Sequence, residues 1–371
     1  MKIKILHLTY DMAIGGTEQV IRQLVENTNP ETFDVSILCL ENRIGDMGQE
    51  LIKQGINIQC LNRQEGFDLN LIKSIRAYIS NHNIDILHCH QYTPYSYGIL
   101  ASIFTHTKVI FTEHGRFYPD VSSWKRKLIN PFLALITDKI TSISEATKQA
   151  LVHYESLPEN KIQVIYNGVI DLSNRTYDNK ALQKKHNISA DNLVLGTISR
   201  LDPIKNHRMM LEAFSKMHQQ YPYVKLLIVG DGELRDTLED LCDKLAITEQ
   251  VIFTGFIIEP QKYLNIMDIF LLPSLSEGTS MTLLEAMSFS KPCIVTNVGG
   301  NPEIVSHNKT GLVIPNEDCS ALVKACVSLI NDPDRRQQLA IEGRQRYEQL
   351  FSVDTMMLEF ESLYLSLSKN D

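Results

Sequence analysis

The sequence predicts an α/β protein made of two consecutive doubly wound units, each a parallel sheet with helices on both faces. Three observations predict it. Short runs rich in Val and Ile alternate with longer helical patterns almost throughout, as buried parallel strands require. The 371 residues suffice for two domains of roughly 150 residues or more. A polar stretch rich in Asn, Asp and Lys, residues 170–192, interrupts the alternation once and reads as a linker.

In order, strands are expected at 3–8, 34–40, 57–60, 84–88, 108–112, 139–142 and 163–165, with helices at 17–27, 47–54, 70–82 and 144–152 among them. After a short helix at 181–186 the second series has strands at 193–199, 224–230, 251–254, 269–273, 293–296 and 311–313. Its helices are expected at 209–221, 234–245, 261–267, 282–288, 302–305 and 321–331. The domains are therefore set at 1–170 and 171–351. The tail 352–371 has no strand of its own to cover and is expected to pack back, as an amphipathic helix, on the first domain.

Composition narrows the function classes. Hydrophobic residues make up 43% and charged residues 22%, which excludes a disordered chain. The net charge is −8, and the first 170 residues hold 16 Lys/Arg against 17 Asp/Glu, so most of the excess lies beyond them. An acidic chain with no basic tract excludes duplex nucleic acid as the main partner. The seven cysteines form no C-x-x-C pair and read as reduced, buried thiols of a cytoplasmic protein. The N-terminal apolar run is too short for a signal peptide, and no stretch approaches the ~20 apolar residues of a membrane span.

Ligands of open parallel sheets bind beyond the carboxyl ends of the strands, so the chemistry is sought there. After the first strand, Gly15-Gly16-Thr17-Glu18 opens a helix whose free amides suit an anion, although a tight turn needs the same residues. The fourth strand ends in His88-Cys89-His90, and His114 follows the fifth. These three histidines suggest a polar cleft; no ligand set at metal spacing completes them, so no metal is assigned. Arg200 and Lys205 follow strand 193–199 and suit a pyrophosphate, where single basic residues would be ordinary solvated loop. Glu277-Gly278-Thr279-Ser280-Met281 then leads into a helix that Thr279 or Ser280 can cap. Glu277 lies in the loop before the cap, and Glu285 roughly one and a half turns into that helix, about 8 Å along its axis. One carboxylate can reach sugar hydroxyls and the other a ribose, with a diphosphate at the helix start. Burying Glu285 among Leu and Ala requires a hydrogen-bonding partner. Asp332-Pro333-Asp334 reads as a surface turn and is given no metal.

With these motifs in order, the chain resembles glycosyltransferase family 4, whose GT-B fold has two facing Rossmann-like domains and an interdomain cleft. The resemblance covers essentially the whole chain. It rests on Gly15 to Glu18, Glu113-His114-Gly115, Tyr166-Asn167-Gly168-Val169, Arg200 with Lys205, Gly230-Asp231-Gly232, Glu277 with Glu285, and Gly299-Gly300-Asn301-Pro302-Glu303. It implies transfer of a sugar, with retention of anomeric configuration and without a metal or other cofactor, from a UDP- or GDP-linked donor to a glycan or lipid-linked acceptor. Bacterial surface polysaccharide or lipopolysaccharide assembly is the implied setting. By resemblance, Arg200 and Lys205 bind the donor pyrophosphate, Glu285 the ribose, and Glu277 faces the donor sugar. Gly15, Gly16, Gly278, Thr279, Ser280 and Met281 match the donor-binding segments, and His114 is the active-site histidine beside the transferred sugar.

Trp124-Lys125-Arg126-Lys127 is a basic, aromatic cluster that fits either an ordinary solvated helix face or a peripheral contact with an anionic membrane. Three rival readings are a sugar-nucleotide epimerase on the same fold, a nicotinamide oxidoreductase, and a non-catalytic sugar-nucleotide-binding module. The spaced glutamates argue against the first, the absent G-x-G-x-x-G against the second, and the full set of site residues against the third. The sequence does not set the oligomeric state.

Overall fold

The computed structural model describes residues 2–115 and 122–368; residues 1, 116–121 and 369–371, the last three of the expected tail among them, lie outside that description. The chain forms two compact units, Met1–Gly168 with Val353–Asp371, and Val169–Ser352.

The N-terminal unit carries strands β1 (Ile3–Thr9), β2 (Phe33–Cys39), β3 (Asn57–Cys60), β4 (Ile86–His90), β5 (Lys108–Glu113), β6 (Lys139–Ser142) and β7 (Ile162–Val164). They form one sheet in the order β3-β2-β1-β4-β5-β6-β7, and every pairing in it is parallel. From β1 the chain builds outward through β2 and β3, then returns to place β4 on the other side of β1. This reversal is the switch point at which open sheets leave a crevice. Leu6, Leu8, Leu38, Leu87, Phe111 and Ile140 pack with Tyr95 on one face. The C-terminal helix Val353–Ser368 belongs to this unit, where Tyr364 is buried and stands edge-on to Phe33 with ring centroids 5.9 Å apart.

The C-terminal unit repeats the plan with β8 (Leu193–Ile198), β9 (Val224–Val229), β10 (Val251–Phe253), β11 (Ile269–Leu272), β12 (Cys293–Thr296) and β13 (Gly311–Ile314). Their order is β10-β9-β8-β11-β12-β13, so this sheet reverses between β8 and β11. Leu195, Leu226, Ile228, Leu271 and Ile294 pack there against Met210 and Phe214.

Several elements differ from the sequence reading. Residues 170–192 are not a linker, since the chain passes between units at Gly168–Val169 and they belong wholly to the C-terminal unit. Asp171 pairs with Arg344, and His186 Nε2 lies 3.1 Å from Tyr263 Oη. The polar composition that suggested a linker instead serves these side-chain bonds. The fourth strand begins two residues later than the expected 84–88, at Ile86, and takes in the whole His88-Cys89-His90 end. Residues 260–266 form a 3-10 rather than an α-helix. Asp332-Pro333-Asp334 is no turn: Asp332 accepts the Arg335 amide at 2.9 Å and caps the helix Pro333–Leu350, with Pro333 in its first turn. The helix Tyr92–Ser102 was not legible because it is apolar nearly all round and so shows no 3.6-residue stripe.

Candidate active site

In the N-terminal unit the strand register assembles a group of histidines at the switch point. His7 on β1 lies opposite His88 on β4, and His90 opposite Thr112 on β5, which in turn lies opposite Thr141 on β6. Residues in register share a face, as do residues two apart. His7 Nδ1 is 2.9 Å from His90 Nε2, and His90 Nδ1 is 2.8 Å from His114 Nε2. His88 is held separately, by Tyr364 Oη at 2.8 Å and Thr112 Oγ1 at 2.6 Å. Burial holds all four rings neutral. It pushes the pKa of His7 and of His114 down to about 3 and those of His88 and His90 well below the ordinary value.

His7, His88 and His90 offer ring nitrogens within 4.8 Å of one another, the donor type that a transition metal takes. Both nitrogens of His88 and of His90 already make hydrogen bonds, so a metal would have to break these. Sequence reasoning found His88, His90 and His114 but missed His7. It lies mid-strand, and nothing but the β1–β4 register brings it near.

Gly15 and Gly16 open the helix Gly16–Asn27 without a side-chain cap, and the Glu18 carboxylate accepts its own backbone amide in that first turn. An anion arriving there competes with this carboxylate. Next to it, a cavity of about 480 Å³ beyond β1 and β2 is lined by Tyr10, Asp11, Glu41, Asn42, Arg43 and Arg63. Arg63 pairs with Glu41 at 2.8 Å and Arg43 with Asp11.

Charge dominates the corresponding edge of the C-terminal unit. Lys205, beyond β8, reaches Glu277, beyond β11, with Nζ–Oε1 2.7 Å. Ser274 Oγ donates to the same oxygen at 2.7 Å. Two glycine turns hold these loops. Gly230 has φ +140°, and a Cβ there would stand 2.0 Å from Ser199 O. This fixes the start of the β8 loop, and Leu201 N donates to Asp231 O at 2.9 Å. Gly299 has φ +49°, and a Cβ there would come within 1.7 Å of Glu277 O. The turns at 230–232 and 299–300 therefore clamp the loops that carry Lys205 and Glu277.

Of the two capping residues expected, Ser280 caps the helix Met281–Ser288, accepting the Leu283 amide at 3.3 Å. Glu285 is buried on that helix and accepts from Gln261 Nε2 at 3.0 Å. With one neutral donor for the whole carboxyl group, burial raises its pKa to about 7. Gln261 and Ser274 carried no signal in the sequence. Arg200 does not join the Lys205–Glu277 pair; it turns to Asp202 at 2.8 Å and stays largely exposed.

This architecture is that of a GT-B glycosyltransferase. A family model described as Glycosyltransferase Family 4 matches residues 14–171, and one described as Glycosyl transferases group 1 matches residues 178–346. The chain belongs to glycosyltransferase family 4. It is 28% identical over 310 residues to the N-acetyl-alpha-D-glucosaminyl L-malate synthase of Bacillus anthracis, covering 82% of this chain and 81% of that protein. It is 26% identical to a UDP-Gal:alpha-D-GlcNAc-diphosphoundecaprenol alpha-1,3-galactosyltransferase of Escherichia coli, over 89% of each. Among solved structures, Anabaena Alr3699/HepE in complex with UDP has a TM-score of 0.87 at 21% identity, over 98% of this chain and 100% of that one.

Proposed function

We propose that this glycosyltransferase moves a sugar from a UDP-sugar, with retention of configuration and without a metal, to a hydroxyl of a glycan or lipid-linked glycan in bacterial surface polysaccharide assembly. The observation that carries the reading is the meeting, in the C-terminal unit, of Lys205, Glu277 and the start of the helix Met281–Ser288. A fixed cation and the backbone amides of a helix start suit a diphosphate, and the flanking carboxylates suit sugar hydroxyls. Uracil is preferred over guanine because the Escherichia coli relative is named for UDP-Gal and the Anabaena structure holds UDP.

In this reading Lys205 and Arg200 bind the diphosphate, Arg200 by swinging from Asp202. Gly278, Thr279, Ser280 and Met281 offer helix-start amides. Glu285 takes the ribose hydroxyls, and Glu277 faces the donor sugar. On the N-terminal unit Gly15, Gly16 and His114 serve the donor, and the cavity lined by Tyr10 and Arg43 takes acceptor hydroxyls. The acceptor oxygen attacks the anomeric carbon from the face that the phosphate leaves. One C–O bond forms, the C–O bond to phosphate breaks, and the hydroxyl proton passes to the departing phosphate oxygen. The developing negative charge on that oxygen is what Lys205 stabilises most.

The test incubates the protein with a panel of UDP- and GDP-sugars, with and without EDTA, and follows which is slowly hydrolysed. One UDP-sugar is expected to react, unaffected by EDTA, and to give a retained linkage once an acceptor is added. Lys205→Ala and Arg200→Ala should each lower turnover about 10²- to 10³-fold with unchanged circular dichroism. Wild-type activity in both variants removes the diphosphate assignment. Release of a free epimerised nucleotide sugar without acceptor would favour an epimerase.

No helix among the described residues is long and apolar enough to cross a membrane. We also propose that the helix Trp124–Ile136 rests on an anionic membrane that presents the acceptor. The sequence reading favoured an ordinary solvated face. The exposed face is apolar: Trp124, Leu128, Phe132 and Leu135 are each more than 60% exposed and recur every three to four residues. Lys125 and Lys127 flank this stripe, while Arg126 turns away to Glu155 at 3.1 Å. The wild type should sediment with vesicles containing anionic lipid and not with neutral ones. A Leu128→Glu/Phe132→Glu variant should stay in the supernatant. Equal sedimentation of wild type and variant would end the idea.

A further inference from the structure

In the N-terminal unit three imidazoles are joined end to end. His90 uses both of its nitrogens, Nε2 toward His7 Nδ1 at 2.9 Å and Nδ1 toward His114 Nε2 at 2.8 Å. All three rings are buried enough to stay neutral, so each carries one N–H and one lone pair. Each ring-to-ring contact consumes one proton. Three protons on three rings satisfy both contacts in two ways alone. In the first, His7 and His90 donate from Nδ1 and His114 also keeps its proton on Nδ1. In the second, His114 and His90 donate from Nε2 and His7 keeps its proton on Nε2.

Outside the two contacts, the arrangements differ at His114 Nδ1 and His7 Nε2. Among the described residues those two atoms are both buried and without a hydrogen-bonding partner. A chain of tautomers that ends on an unanswered atom at each end has somewhere to point. His7 is fully buried inside the sheet, whereas His114 follows β5 as a partly exposed residue, although its Nδ1 is itself enclosed. An unanswered N–H is costlier to bury than an unanswered lone pair. The bare lone pair therefore belongs on His7 and the spare N–H on His114, which is the first arrangement.

We propose that His7 and His90 are positioning residues that fix His114 as its Nδ1–H tautomer, so that His114 donates a hydrogen bond to an oxygen of the sugar donor. The inference rests on the reading that His114 lies beside the transferred sugar. The pair does for His114 what a carboxylate or carbonyl does for many functional imidazoles, setting tautomer and ring orientation, but without adding charge. A neutral donor suits an uncharged hydroxyl or ring oxygen, and it cannot act as a proton-removing base while its Nδ1 is occupied.

Nitrogen-15 NMR of the full-length protein labelled at histidine distinguishes the two tautomers and the cation through two-bond nitrogen–proton correlations. At pH 7, His7, His90 and His114 are expected to be protonated at Nδ1. His7→Leu removes the first donor and should leave His114 a mixture of tautomers. It should also lower kcat about tenfold with KM for the nucleotide sugar little changed. His7→Asn places an amide N–H where Nδ1 stood and should restore both. Any of the three rings found in the opposite sense or charged overturns the proposal. So does a stoichiometric metal in the purified protein, or an unchanged kcat in His7→Leu. If His7→Leu does not fold, the wild-type spectrum and His7→Asn still decide. Were the transferase reading itself wrong, the wild type would show no turnover while the tautomers stood as stated, so the two failures are separable.

Discussion

Both units place a contact across the switch point of their sheet, and the two contacts are opposite in kind. In the N-terminal unit β1 meets β4 through two neutral imidazoles, His7 and His90. In the C-terminal unit the loops after β8 and β11 meet through an ammonium and a carboxylate, Lys205 and Glu277. Burial explains the difference. The histidines lie within the strands, fully enclosed, where a charge would cost several kcal/mol. Lys205 and Glu277 lie beyond the strand ends on loops, where Lys205 keeps partial access to water and Ser274 shares the carboxylate. One architecture thus yields a polar wall that resists charge and an edge that supplies it.

The comparison breaks most readily with acid. His7, His88 and His90 have folded pKa values far below 6.5, so their contribution is present above that pH and is lost as pH falls toward the folded values. At pH 5.5 an unfolded histidine has gained a proton that the folded ring refuses, worth about 1.4 kcal/mol for His7, and His88 and His90 act in the same direction. The N-terminal unit should lose protection first when hydrogen exchange, corrected for intrinsic rates, is followed from pH 7.5 to 5.5. Parallel loss in both units would show that the wall is not the acid-sensitive element.

The C-terminal unit carries a group of the opposite sign. Glu285 has its pKa raised from 4.5 to about 7, so its contribution is full below pH 4.5 and is lost as pH rises through 7. The loss is on the order of 3 kcal/mol. Glu285→Gln keeps the bond from Gln261 and removes the titration, so it should be more stable than the wild type at pH 8 by about that amount and similar at pH 4.5. Ribose hydroxyls that donate to the carboxylate favour its charged form, so affinity for the intact nucleotide sugar should rise between pH 6 and 8. A variant with the wild-type pH profile of stability would show that Glu285 is not the group that titrates.

What the sequence disclosed follows the same division. The strands were legible because parallel sheets demand uninterrupted apolar runs, and 57–60, 139–142 and 293–296 coincide with β3, β6 and β12. Lys205, Glu277 and Glu285 could be singled out because they lie on loops and a helix start, where local spacing carries meaning. The structure brings Lys205 to Glu277 and buries Glu285 nearby in sequence, while Arg200 stands apart on Asp202. His7 was illegible for a physical reason: it is 83 residues from His90, and their contact exists only through the register of two strands. Gly299 likewise stood in the sequence only as part of a glycine turn, and its close approach to Glu277 O is what gives it the work of a clamp. Local chemistry was visible, and chemistry made by tertiary register was not.

The finest test of the comparison uses a histidine of the charged unit. His207 is buried at the start of its helix, with Nε2 3.0 Å from Ser199 Oγ and Nδ1 without a partner among the described residues, and burial lowers its pKa to about 4. It engages one nitrogen, where His90 engages two. A glutamine amide can take over an Nε2 contact, so His207→Gln should cost less than about 1 kcal/mol and leave kcat and KM unchanged. His90→Gln can replace one of two contacts and must leave a neighbouring ring unanswered, so it should destabilise by about 1–3 kcal/mol. Thermal unfolding of both variants at pH 7.5 measures the gap. Equal losses would mean that burial alone, and not the joining of rings, sets the worth of these histidines.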